Sequence, residues 1–462
     1  MAKMLFSSIT FLYYFLPVML IAYFIVPKRM KNAVLLAGSL VFYAWGEVKY
    51  VLLMVISILI GYISGRWMEH FRGRVRAKWG LILSVGIHLG LLGLFKYTDF
   101  FISNINRLTG SSFLLLKLVL PLGISFYTFQ IISYEVDVFR GMAAQKNIVK
   151  LAVYISMFPQ LIAGPIVRYE TIAPQLDERT CTLDGMARGL RLFILGLGKK
   201  VILANTLGEL CEIFKTSSDK SVVFFWMYGI ALILQIYFDF SGYSDMAVGL
   251  GHMFGFALPK NFNYPFIAKS VTEFWRRWHM SLGRWFRDYV YIPMGGNRGT
   301  KAKWLFNVGI VWLLTGLWHG AGWNFIVWGL FFGSLLVAEK LWFLKKLERS
   351  SWLGHVYLTG VVMIGFMIFD ADSVAQAIKN IGGLFGFGHV AFISNESQYY
   401  LRSYGGMITA ALVGATPLPK RIAAKVERRW PIVEPIFLTG LLLAVTACLV
   451  DGSFNPFLYF RF

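Results

Sequence analysis

The sequence predicts an all-α, polytopic integral membrane protein, and three observations carry that prediction. Hydrophobic residues make up 57% of the 462 residues, charged ones only 15%, and the mean hydropathy is +0.60. A soluble domain of this size carries about 25% charged residues. The apolar residues also come in runs, such as LFSSITFLYYFLPVMLIAYFIV (Leu5 to Val26) and VVFFWMYGIALILQIYF (Val222 to Phe238), that reach across a bilayer as helices. Between the runs lie basic clusters: Lys28, Arg29 and Lys31; Arg66, Arg72, Arg74, Arg76 and Lys78; a block from Lys260 to Lys303; then Lys340 to Arg349 and Lys420 to Arg429. The net charge of +21 is therefore read as cytoplasmic loops against anionic lipid, not as a nucleic-acid surface.

Taken in order, the first run is a retained helix, because more spans follow it at once rather than a cleavage site and a soluble domain. Two short spans, Ala33 to Trp45 and Tyr50 to Ser64, are joined by WGEVK and read as a hairpin through the outer face. Both chain ends then face outward, with DGSFNPFLYFRF following a last span near Val433 to Val450. SMFPQLIAGPIVRYE carries Pro159, Gly164 and Pro165, so it is broken or re-entrant, which membrane depth tolerates only inside protein or beside a water-filled cavity. Lys199 and Lys200 interrupt LRLFILGLGKKVILANTLG and must snorkel or face an aqueous recess. The sum is roughly ten to twelve spans. No internal repeat or low-complexity linker divides them. A single membrane domain over residues 1–462 is expected, with N-terminal spans to about residue 112, a catalytic core over 113–345 and C-terminal spans over 346–462.

Some chemistries are excluded early. The cysteines Cys181, Cys211 and Cys448 are far apart without a CxxC, so neither a disulfide framework nor a zinc site is indicated. There is no HExxH, GxSxG or GxxxxGK[ST], and no catalytic metal or other cofactor is expected.

Two stretches carry chemistry. TEFWRRWHMSLGRWFRDYVYIPMGGNRG, on a helical wheel, gathers Trp275, Trp278, Leu282, Trp285, Phe286 and Tyr289 on one face and Arg276, Arg277, Arg284 and Arg287 on the other. The pairs Glu273–Arg277 and Arg284–Asp288 fall at helical spacing. This is an interfacial amphipathic helix, with His279 at the edge of its aromatic stripe and a PMGGNRG turn after it. It serves either as a lipid-headgroup anchor or as a site where the arginines and the turn amides meet a phosphate-bearing donor. The second stretch, LTGLWHGAGWNFIVWGL (Leu314 to Leu330), places His319 among apolar residues, flanked by Gly316, Gly320, Gly322, Trp318 and Trp323. A buried imidazole there is either a bonded structural donor or the working group of an intramembrane site. In DFSGYSD, Asp239, Ser241, Tyr243, Ser244 and Asp245 either line the cavity or hydrogen-bond to the re-entrant segment; a structural role, in which they satisfy one another, is favoured. His88 and His252 are read as core histidines, and His70, His355 and His389 fall outside every motif.

FWRRWHMSLGRWFRDYVYIPMGGNRG followed by LWHGAGWNFIVWG resembles the membrane-bound O-acyltransferase (MBOAT) superfamily, in its bacterial alginate O-acetylation branch. PLGISFYTFQIISYEVDVFRG, FPQLIAGPIVRYE and FDFSGYSDMAVGLGHMFGFALPKNFNYPF fit the same branch, and the likeness covers essentially the whole chain. The resemblance implies an all-helical MBOAT fold with re-entrant and interfacial helices around a central tunnel. It implies His319 and His279 as catalytic residues, with Trp275, Arg276, Arg277, Trp278, Arg284, Arg287 and Asn297 around the donor. Trp318, Trp323, Asn324, Asp239 and Tyr243 would line the cavity. The expected activity is O-acetyl transfer from a cytoplasmic thioester, acetyl-CoA as co-substrate, to an extracellular or cell-wall polysaccharide. A neutral imidazole at 319 is the general base. The resemblance further implies the bacterial cytoplasmic (inner) membrane and an extracytoplasmic partner with a serine nucleophile, for which the aromatic C-terminus is a docking element. The alternatives are D-alanyl transfer to teichoic acid, peptidoglycan O-acetylation, or a non-catalytic transporter of an acyl donor or glycan. A transporter calls for inverted repeats and paired broken helices, and the sequence shows one broken stretch and no repeat.

Overall fold

The structure is a computed structural model that describes residues 4–452; the aromatic C-terminus expected to dock a partner lies outside them. Helices occupy most of these residues and no strand occurs among them. Contacts divide the chain into two compact units, one of residues 1–193 with 246–259 and one of 194–245 with 260–462.

In the first unit, α1 (Leu16–Ile25), α2 (Lys31–His70), α3 (Val75–Thr109) and α4 (Ile124–Phe139) are joined by the short α5 (Ile148–Ser156), α6 (Phe158–Leu161) and α7 (Tyr169–Asp177). The hairpin expected at WGEVK is helical except at Glu47, where φ −154° and ψ 71° break α2. The stretch read as broken is broken: α5 ends at Ser156, one turn follows, and the backbone then runs irregularly past Gly164 and Pro165. It is buried from Ser156 to Val167, and protein groups meet several of its polar atoms. The Phe158 N–H donates to Ser39 Oγ (3.1 Å) and the Tyr154 hydroxyl to the Val167 carbonyl (2.9 Å). His88 is a core residue, its ring nitrogens against the carbonyls of Ser84 (2.8 Å) and Ser57 (3.2 Å).

Helix α8 (Leu183–Gly198) passes from the first unit into the second, which continues with α9 (Asn205–Thr216) and most of α10 (Val222–Met253). Lys199 and Lys200 do not snorkel. Lys199 pairs with Asp245 at 2.6 Å and Lys200 with Asp239 at 2.6 Å, the latter pair almost wholly buried, with Asn205 Oδ1 accepting from Lys200 at 2.9 Å. A buried ammonium needs a carboxylate more than it needs water it cannot reach. The polar residues of DFSGYSD are therefore structural in part, but Asp239 and Asp245 are satisfied by lysines rather than by one another.

The segment over Thr272 to Gly299 is not one helix. It forms α11 (Val271–Arg277) and α12 (Met280–Phe286), then a wider turn over Arg287–Tyr291. The rest of the unit is α13 (Lys301–His319), α14 (Trp323–Ala338), α15 (Leu344–Arg349), α16 (Ser351–Asp370), α17 (Val374–Leu384), α18 (Asn395–Gly414), α19 (Leu418–Arg429) and α20 (Val433–Val450). Among the described residues six helical stretches are long and apolar enough to cross a bilayer alone: Lys28–His70, Val75–Thr109, Val222–Met253, Trp323–Arg349, Ser351–Asp370 and Val433–Val450. The larger number of spans read from hydropathy includes segments that fold as shorter or more polar helices, such as α5 and α8. Walls of protein free such helices from the need to be apolar all round.

Candidate active site

Helices α13 and α14 form an antiparallel hairpin whose tip is Gly320–Gly322 and whose register follows from close backbone approaches. A Cβ on Gly316 would overlap the Phe325 carbonyl, and one on Gly329 would overlap the Trp312 carbonyl. Glycines 316 and 329 thus let the two helices touch. His319 ends the 19-residue α13, about 27 Å along the axis from its basic start at Lys301.

The His319 ring is buried and its Nδ1 lies 2.7 Å from the Thr315 carbonyl. A carbonyl only accepts, so Nδ1 carries the proton and Nε2 carries the lone pair. Trp318 (4.9 Å between ring centroids), Trp328 (4.8 Å) and Phe369 (5.4 Å) enclose the imidazole. Trp323 is not in that wall; it is 56% exposed. Asn324 fixes the wall instead, donating from Nδ2 to the carbonyls of Phe369 (3.1 Å) and Ala371 (2.9 Å) on either side of Asp370. Asp370 is itself held by Tyr228 (2.7 Å) and Lys215 (2.9 Å).

His279 is the residue that breaks the amphipathic helix. Its backbone is left-handed (φ 43°, ψ 51°), a conformation that costs a non-glycine residue about 1–2 kcal/mol. The incoming segment around Asn261 holds it there. The Met280 N–H donates to the Asn261 carbonyl (2.9 Å), and the Asn261 side-chain oxygen accepts from Ser281 N (3.1 Å), Ser281 Oγ (2.9 Å) and His279 Nδ1 (3.3 Å). The backbone donor fixes which amide atom of Asn261 is oxygen, so His279 too is protonated on Nδ1 and presents the Nε2 lone pair. Burial, with His319 nearby adding to it, holds the His279 imidazole well below the ordinary imidazole range. Its ring packs on Phe240 (4.6 Å) and Trp318 (6.0 Å), so the Trp318 indole touches both histidines. His279 Nε2 and Asn261 Nδ2 are buried without a hydrogen-bond partner among the described residues. One lone pair and one amide NH2 left open in the same cluster mark a place for a polar group of a substrate.

The other expected donor residues divide by environment. Trp275 and Trp278 belong to the packed interior, Trp275 against Trp312 (4.9 Å) and Trp278 against Phe274 (5.4 Å). Arg277 pairs with Glu273 at 2.8 Å, while Asp288 pairs with the adjacent Arg287 at 2.7 Å rather than with Arg284. Arg276, Arg284, Arg287 and Asn297 are exposed. The turn amides of Gly295, Gly296 and Arg298 already donate within the turn, and Asn307 bonds the Gly296 carbonyl (2.9 Å), so these three amides are not available to a phosphate. Asp239 faces Lys200 and Tyr243 is buried. Among the described residues no group of three or more His, Cys, Asp and Glu could hold a metal ion. Asn261, Trp328 and Phe369 were not singled out in the sequence. The only signal for Asn261 is its place in KNFNYPF, where two asparagines and a proline announce irregular backbone.

A family model described as MBOAT, membrane-bound O-acyltransferase family, matches residues 140–369, a span that contains both histidines. The chain is 36% identical to "Probable alginate O-acetylase AlgI" of Azotobacter vinelandii, over 99% of this chain and 100% of that protein. This chain belongs to the membrane-bound O-acyltransferase family. Other members of the family similar to it are the peptidoglycan O-acetyltransferase of Helicobacter pylori (34% identical, 90% of this chain and 86% of that one) and the teichoic acid D-alanyltransferase of Bacillus subtilis (30%, 55% and 69%). The protein is an O-acyltransferase, and its apolar helices and bacterial relatives make it a bacterial integral membrane protein.

Proposed function

We propose that this acyltransferase takes acetyl from cytoplasmic acetyl-CoA and passes it through the membrane for O-acetylation of an extracellular or cell-wall polysaccharide. The observation that carries the chemistry is the pair of buried imidazoles, both anchored through Nδ1–H and both packed against the Trp318 indole. In this reading the acceptor hydroxyl gives its proton to His319 Nε2 as its oxygen attacks the thioester carbon. The C–O bond forms, the tetrahedral intermediate collapses, the C–S bond breaks, and the departing thiolate takes the proton back from the imidazolium. Trp318, Trp328 and Phe369 keep water from the thioester.

His279 serves as an acceptor. With Nδ1 committed to Asn261 it has no N–H to polarise a carbonyl; its open Nε2 lone pair and the open Asn261 Nδ2 amide are one acceptor and one donor group, the complement of a substrate amide. The pantetheine arm of coenzyme A carries such amides. The length of α13, which sets His319 far from the basic loops, supports a thioester arm entering from the cytoplasmic side and an acceptor approaching from the opposite face. The protein would reside in the cytoplasmic membrane, and an extracytoplasmic partner with a serine nucleophile would complete delivery to the glycan.

Support for acetyl over D-alanyl comes from the relatives matched along nearly the whole chain, which are named O-acetylases. Purified protein in proteoliposomes, given radiolabelled acetyl-CoA on the basic-loop side and alginate or another polymeric glycan on the other, tests it. Labelled thioester consumed with label recovered in ester linkage is the expected result. Turnover only with a D-alanyl carrier protein, or no turnover with any coenzyme A ester, would overturn the reading.

A further inference from the structure

A concavity lies at the end of the α13–α14 hairpin away from His319, with a volume of about 370 Å³. One wall is α13, through Val308, Val311 and Trp312; the other is Leu336 and the turn that continues α14, and Arg276 and Lys340 stand among the lining residues. The lining from Trp304 to Trp312 covers two helical turns, about 12 Å, so the slot runs along the helices rather than across them. Its walls are apolar.

Its charge is fixed by the fold. Lys340 Nζ lies 4.3 Å over the Trp304 ring, and neither Arg276 nor Lys340 has a carboxylate partner among the described residues. The adjacent acid, Glu339, is fully buried and spent elsewhere. It accepts from Val271 N (2.5 Å), Thr272 N (2.8 Å) and Thr272 Oγ1 (2.6 Å), which pins the first turn of α11 to the end of α14. That bond sets Arg276, one turn further along α11, and Lys340, next to Glu339, around the same slot. An aromatic layer separates it from the histidine: Trp312 packs on Trp275 (4.9 Å) and Trp328 (6.2 Å), and Trp328 packs on His319 (4.8 Å).

We propose that this slot is a binding site for an anionic phospholipid, its phosphate between Arg276 and Lys340 and one acyl chain along Val308, Val311, Trp312 and Leu336. The slot parallels the membrane helices, as a lipid chain does. The two cations lie at the end of the hairpin where Lys301, Lys303, Lys345 and Lys346 also cluster, which is headgroup level on the basic side. Two cations with no acid between them favour a headgroup that brings no cation of its own. The aromatic layer makes the slot a poor route for a thioester on its way to His319. The lipid would brace α11 against the hairpin, and with it the segment leading to His279.

The test is lipid retention by the purified full-length protein in phosphatidylcholine nanodiscs titrated with 1-palmitoyl-2-oleoyl-phosphatidylglycerol, read by native mass spectrometry. We expect one tightly retained phosphatidylglycerol. Arg276→Gln with Lys340→Gln should weaken it at least about tenfold. Val311→Trp, which fills the slot and leaves both charges, should do the same, with thermal unfolding in pure phosphatidylcholine showing that each variant folds. Retention by both variants within about twofold of the parent would overturn the proposal. So would equal retention of phosphatidylcholine, or displacement of the lipid by acetyl-CoA, which would assign the slot to the donor.

Discussion

Replacing Asn261 by Asp probes the tautomer and the charge of His279 at once. The aspartate keeps an oxygen for Ser281 N, Ser281 Oγ and His279 Nδ1, so the left-handed turn at His279 survives. What changes is a negative charge about as far from the imidazole as the present 3.3 Å contact. At an effective dielectric constant of about 20, that distance corresponds to roughly 5 kcal/mol of attraction for the imidazolium. Burying the new carboxylate takes back several kcal/mol, and about 1.4 kcal/mol of net gain raises the imidazole by one pH unit. In the parent, burial, with His319 adding to it, depresses His279, so its ring stays neutral through the physiological range. In the variant His279 is raised, the cation appears as pH falls through the new value, and Nε2 changes from acceptor to donor. Initial rates of acetyl-CoA consumption in proteoliposomes between pH 5.5 and 9 should show an acid limb moved up by at least about one unit, with activity largely recovered at the alkaline end. Superimposable profiles with equal rates would refute both the tautomer and the neutrality of His279.

Three further outcomes follow from packing. Lys200→Ala removes the ammonium paired with the buried Asp239 carboxylate and should cost about 3–5 kcal/mol in unfolding measurements, whereas Lys200→Met combined with Asp239→Leu should recover most of that. Gly316→Ala drives a Cβ into the Phe325 carbonyl and should cost about 1–3 kcal/mol, with a fall in activity because His319 lies one turn further on. Gly309→Ala on the same helix meets nothing within 4 Å and should be neutral or stabilising by about 0.5–1 kcal/mol in the same thermal assay.

The sequence makes the class and the family legible because both are written in one dimension. Hydropathic runs, basic clusters and the paired histidine stretches need no partner to be read. The aromatic stripe is legible too: Trp278, Leu282, Trp285 and Phe286 are buried while Arg276, Arg284 and Arg287 face out. The break within that stripe is not, since a helical wheel assumes the regularity that His279 interrupts and the cause, Asn261, comes from a preceding segment. The partners of Lys199 and Lys200 are hidden for the same reason: Asp245 and Asp239 lie on another helix, and the local pattern shows only two lysines in an apolar run. Trp323 and Trp328 sit in one motif and read alike, yet one is exposed and the other covers His319. The packing of α16 decides which.

The central claim is that His319 Nε2 removes the acceptor proton, and one measurement bears on it most directly. Acetyl transfer from acetyl-CoA by the His319→Ala variant, compared with the parent in the same proteoliposomes and at matched folded protein, should fall by about 10²–10⁴-fold. Residual transfer within about threefold of the parent would contradict the account.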